Sequence, residues 1–82
     1  MKLLVEEFHS ACQNVVNERT SPALNYAVGY AQAGGAMNDP KEIQIQCLYI
    51  LNNITHWRGP VAKATRATFK RLAKPQTWRA MA

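Results

Sequence analysis

Between Lys2 and about Arg19, apolar residues recur at three- and four-residue steps (Leu4, Phe8, Ala11, Cys12, Val15, Val16), while Glu6, Glu7, Gln13, Asn14, Asn17 and Glu18 fill the other side. That period is helical and predicts an amphipathic helix over 2–19. Ser21-Pro22 reads as a cap followed by a first-turn proline, so a second helix is expected over 22–33, ended by Gly34-Gly35. Its residues (Ala23, Leu24, Ala27, Val28, Ala31) are mostly small, which lets a neighbouring helix approach closely, with Tyr26 and Tyr30 on its flank.

Asp39-Pro40 with Glu42 three residues after the cap is a third start signal. The pattern that follows predicts a helix over 40–57. Ile43, Cys47, Ile50, Leu51 and Ile54 form its apolar stripe, Ile45 and Leu48 widen that stripe, and the width implies a place at the centre of a bundle. Gly59-Pro60 opens a fourth helix over 60–74, where Pro75 stops it and leaves a tail carrying Trp78. Four helices with short connections predict an all-α fold, a compact antiparallel bundle formed by a single domain over 1–82.

Composition supports a folded chain. In 82 residues, 48% are hydrophobic and 18% charged, outside the low-hydrophobicity regime of disordered segments. So small a core yields modest stability, for which homodimerisation is a common remedy. No stretch reaches the roughly 18 apolar residues needed to span a bilayer, and Lys2, Glu6 and Glu7 interrupt any signal-like start, so a cytoplasmic location without membrane contact is expected. Two cysteines, Cys12 and Cys47, both within apolar helical stretches, are expected to be reduced and buried.

Charge divides the chain. Residues 1–57 carry three basic and five acidic groups, whereas residues 58–82 carry seven basic groups and no acid, so the halves hold −2 and +7. At about 100° per residue, Lys63, Arg66, Lys70 and Lys74 fall within an arc of roughly 80°, with Arg71 just beyond. Val61, Thr65, Thr68, Phe69 and Leu72 gather opposite, as the packed side. This one-sided helix, with Arg58 at its start and Arg79 past its end, is the candidate surface for phosphates or for an acidic protein. Trp57 and Trp78 bracket it as candidate interface aromatics, stacking on bases or anchoring a partner, unless they close the ends of the small core.

Chemistry of other kinds finds little support. His9, Cys12, Cys47 and His56 are the inventory of a zinc site, but on a continuous helix Cys47 and His56 stand about 13.5 Å apart in rise, so no metal is expected. The five acids fall at helix starts or on polar faces and form no catalytic pair, and Gly34-Gly35 lacks a phosphate-loop pattern. No cofactor and no enzymatic activity are expected. A helix-turn-helix around Arg58-Gly59-Pro60 fits poorly, because the preceding helix is long and the exposed positions of the next hold no Asn or Gln to read adenine.

The stretch from Leu48 to Leu72, with Tyr49-Ile50-Leu51-Asn52-Asn53 leading to Trp57-Arg58-Gly59 and a basic helix, resembles small helical proteins encoded by bacteriophages and prophages. The resemblance implies a setting, a phage-encoded protein in the bacterial cytoplasm that binds a host factor, and assigns no functional residue. Two functions are therefore expected in competition: a regulatory protein binding DNA or RNA through the basic helix, or a protein-binding modulator, as a homodimer, docking an acidic surface of a host protein.

Overall fold

The computed structural model describes residues 2–80, which form five α-helices and one 3-10 turn, with no strand among the described residues. The helices are α1 (Lys2–Asn17), α2 (Ala27–Gly34), α3 (Pro40–Asn52), α4 (Pro60–Leu72) and α5 (Pro75–Arg79), and the 3-10 turn Pro22–Leu24 precedes α2. All four prolines sit at the first position of a helical segment, where the missing N–H is not needed and the fixed φ is already helical. Asp39 caps α3 by accepting the Glu42 N–H at 3.1 Å. The all-α expectation holds, and the radius of gyration, 11.7 Å, is that of a compactly folded chain of this length.

Helix α4 lies against both α1 and α3, and α1 also carries α2. Contacts at two levels show that α1 and α4 run antiparallel: Asn14 meets Thr65, and Glu7 meets Arg71. The core is one continuous cluster centred on Phe8, Val15, Leu24, Ile43, Ile50, Ile54, Phe69 and Leu72. Phe8 and Phe69 meet edge to face, with centroids 6.1 Å apart and ring planes at 73°, a favoured aromatic arrangement. The two buried polar side chains are partnered: Gln46 donates to the Tyr30 carbonyl at 2.8 Å, and Thr65 accepts from Asn14 at 3.1 Å.

Several boundaries differ from expectation. The second helix does not run unbroken over 22–33, because Pro22–Leu24 closes as a 3-10 turn and regular helix begins only at Ala27. The third stops at Asn52, not near Trp57. There the Asn53 N–H turns back to Ile50 at 2.9 Å, while its side-chain amide takes the Tyr49 carbonyl at 2.8 Å, so the local bonds of one asparagine replace the next helical turn. The fourth ends at Leu72, and the tail beyond Pro75 is the fifth helix rather than an extension. Ile45 and Leu48 were expected to widen the buried stripe of α3, yet they are 53% and 52% exposed, on its outer side.

Close approach of α2 to α1 rests on Gly34. A Cβ there would lie 2.8 Å from the Cys12 Sγ and 2.9 Å from the Phe8 Cζ, both buried atoms with little room to yield. Gly34→Ala is therefore expected to destabilise the fold by about 1–3 kcal/mol through overpacking. Gly29→Ala, where nothing lies within 4 Å, should instead stabilise α2 by up to about 1 kcal/mol. Urea denaturation of both variants checks the opposite signs.

Candidate nucleic-acid interface

Helix α4 is launched by Gly59, whose φ of 110° lies where side-chain-bearing residues are strained, and by Pro60. It buries Ala62, Thr65, Phe69 and Leu72 at alternating three- and four-residue steps. That stripe corrects the expected one by a single residue: Ala62 points inward, and Val61 is 47% exposed. Alanine and threonine make this buried edge thin, so α4 seats closely on α1 and turns its long cationic side chains outward.

The seven basic candidates separate into two groups. Arg58, Lys63, Lys70, Lys74 and Arg79 are exposed, and none has a carboxylate partner among the described residues. Arg66 is half-buried and occupied: its guanidinium donates to the Trp57 carbonyl at 2.8 and 3.4 Å and reaches the Ala62 carbonyl at 3.5 Å. It ties the connection after α3 to the first turns of α4. Arg71 leans the other way and pairs with Glu7 of α1 at 2.8 Å. Both side chains of that pair are nearly half exposed, so it contributes at most about 1 kcal/mol, but it neutralises Arg71 locally. On the helical wheel Lys63, Lys70 and the projected position of Lys74 fall within about 40° of one another.

Both tryptophans belong to the core rather than to an exposed face. Trp57 is 5% exposed and Trp78 4%. Trp57 follows the turn that ends α3 and packs with Ile54. Trp78 lies on α5, where its indole N–H donates to the Leu72 carbonyl at 2.8 Å while the Thr77 hydroxyl donates to the Arg71 carbonyl at 2.7 Å. The Arg71 carbonyl also accepts the Lys74 N–H at 3.2 Å, and the Leu72 carbonyl is one that the end of α4 would otherwise leave unpaired, so α5 is the cap of the basic helix. Proline at its first position was the available sequence signal, since the other three prolines also open helical segments.

The His/Cys set is dispersed. Because α3 ends at Asn52, the continuous helix assumed between Cys47 and His56 does not exist. Among the described residues, no three His, Cys, Asp or Glu side chains gather where a metal could be held. His9 donates from Nε2 to the Met37 carbonyl at 2.7 Å, and His56 lies exposed in the connection to α4. Cys12 and Cys47 are free and buried. Burial pushes both thiols up from 9.0 to about 12, with the nearby Cys12 adding to the shift at Cys47. A cleft of about 470 Å³ between α1 and α4, lined by Leu3, Glu6, Glu7, Ser10, Ala64 and Thr68 among others, holds acids and small residues without a nucleophile–base pair.

Tyr26 and Tyr30, expected on the flank of the second helix, are surface residues, and Tyr49 of α3 joins them. Tyr26, Tyr30 and Tyr49 are 79%, 40% and 49% exposed, and Tyr30 and Tyr49 stack across α2 and α3 with centroids 5.6 Å apart and planes at 21°. No family model, curated protein or solved structure matches the chain.

Two outcomes follow from this geometry. Trp78→Ala should cost about 3–5 kcal/mol, as for other large aromatic truncations in a core, and urea denaturation reads it directly. The raised thiol pKa values mean that the unfolded chain releases protons above pH 9.0 that the native state keeps, so this contribution to stability is complete below pH 9.0 and is lost as pH rises toward 12. The urea midpoint of a Cys12→Ala/Cys47→Ala variant should fall less steeply over that range than that of the parent chain.

Proposed function

We propose that this chain is a small, non-enzymatic regulatory protein of the phage type that acts in the bacterial cytoplasm by binding nucleic acid through its basic C-terminal region. The observation that carries this reading is the set Arg58, Lys63, Lys70, Lys74 and Arg79: five exposed cations along and around α4, without carboxylate partners among the described residues. Arg66 and Arg71 support the helix and its seating, since each is already bonded within the fold. Lysine-rich contacts of this type address phosphates and carry little sequence information, so binding is largely independent of sequence and strongly dependent on salt.

A second reading, a homodimeric modulator that docks an acidic surface of a host protein, draws on the exposed Ile45, Leu48 and Tyr49 of α3 as its apolar contact. It is distinguished by complex formation with a defined protein, lost on Leu48→Asp, and by the absence of nucleic-acid affinity.

Fluorescence anisotropy with labelled DNA and RNA at about 50 and 200 mM salt tests the first reading. For a duplex, four to five neutralised phosphates predict a log-log salt slope of about −4. Lys63→Glu/Lys70→Glu should weaken binding more than tenfold at the lower salt, roughly the loss of two phosphate contacts plus new repulsion. Arg71→Ala should matter much less, its charge being engaged by Glu7. Absence of binding at the lower salt, or indifference to the double reversal, refutes the proposal.

A further inference from the structure

All three tyrosines of the chain emerge on the α2–α3 side, where an 82-residue protein with a small core would be expected to hide its aromatics. Tyr30 and Tyr49 form a stacked pair, and Tyr26 precedes Tyr30 by one helical turn of sequence. Beside Tyr49 on the outer face of α3 stand Ile45 and Leu48, each half exposed. The wheel of α3 sets Tyr49 toward α2, Leu48 about 100° away toward α4, and Ile45 between them.

The free cations Lys63 and Lys70 are exposed on α4, the helix packed against α3. On α4 the side toward α1 is identified by Ala64, Thr65 and Thr68, which line the α1–α4 cleft. The opposite flank is identified by Arg66, which reaches back to the carbonyl of Trp57 in the connection from α3. Lys70 and Lys63 lie about 40° and 60° beyond Arg66, turning from that flank toward solvent. The short connection makes α3 and α4 antiparallel neighbours, so Lys63 stands level with the Tyr49 end of α3 and Lys70 nearer its start. Aromatic faces, an aliphatic floor and a row of ammonium groups therefore succeed one another across α2, α3 and α4.

Resting on the nucleic-acid reading above, we infer that the preferred ligand is single-stranded nucleic acid, with its phosphates on Lys63 and Lys70 and its unpaired bases stacked on the Tyr30–Tyr49 face. A duplex keeps its bases stacked on each other and can use the cations alone, whereas a single strand uses both features, each stacked base adding about tenfold in affinity. The charge of the flank selects an anionic ligand, and planar tyrosines exposed on a convex helical face suit flat bases. Protein hot spots favour buried pockets, and the clefts of about 470 and 220 Å³ are lined by α1 with α4 and by α1 with α2, with none of the α3 residues of this face lining either.

The test is an anisotropy comparison of labelled oligo(dT), its RNA counterpart and a duplex of equal length, with four proteins: the parent, Tyr30→Leu/Tyr49→Leu, Tyr30→Phe/Tyr49→Phe and Lys63→Glu/Lys70→Glu. The parent should bind the single strands about tenfold or more tightly than the duplex. The leucine variant, which keeps bulk but removes the π faces, should lose that margin while duplex binding is retained, and the phenylalanine variant should keep it. The lysine reversal should weaken all three ligands. Equal affinity for strand and duplex, or unchanged strand affinity in the leucine variant, overturns the inference, leaves the phosphate-binding reading standing and returns the face to a protein partner. Failure of the parent to bind any of the three removes both. Unaltered urea midpoints in the two tyrosine variants confirm that the readout is at the surface.

Discussion

Three helices converge on the ring of Phe8. Its edge meets Phe69 of α4, its tip lies against the Cα of Gly34 on α2, and its own backbone belongs to α1. Because the ring is fully buried and cannot yield, it fixes how near α2 may come and at what rotation α4 must sit. With Phe69 committed inward, Ala62, Thr65 and Leu72 follow by helical geometry, and Lys63 and Lys70 are left pointing to solvent. The cationic face is thus a consequence of core packing as much as of composition.

The ends of α4 are held by groups that, read as sequence, resemble surface chemistry. At its start the guanidinium of Arg66 bonds the carbonyl of Trp57, and at its finish the indole of Trp78 bonds the carbonyl of Leu72. Each uses a large amphipathic side chain to satisfy backbone oxygen at the margin of a small core, where water would otherwise compete for it. An arginine and a tryptophan side chain are thereby spent on architecture, and the cations that remain free are flexible lysines and the arginines beyond the ends of α4, suited to tracking phosphates rather than to reading bases.

The apolar surplus of α3 shows the complementary effect. A helix in a bundle of this size buries one stripe, here Ile43, Gln46, Cys47 and Ile50, and the neighbouring Ile45, Leu48 and Tyr49 remain outside. A neutral glutamine takes a buried position while isoleucine and leucine are exposed, because Gln46 has the Tyr30 carbonyl to bond and α2 is too short to cover both sides of α3.

The starts of α3 and α4 were legible in the sequence because their causes are local: a proline fixes its own φ, and Asp39 reaches an N–H three residues on. The all-α class, the burial of both cysteines and the polarity of charge followed from periodicity and composition in the same way. Helix ends, the rotation of each stripe and the availability of each cation were decided by contacts between residues far apart in the chain. Asn53 ended α3 although the apolar period continued to Ile54 and Trp57, Glu7 claimed Arg71 across 64 positions, and Trp78 turned from a tail residue into the cap of α4. A pattern of side chains states which residues prefer to be buried; only the packed structure, with room for one stripe per helix and one partner per donor, decides which of them are.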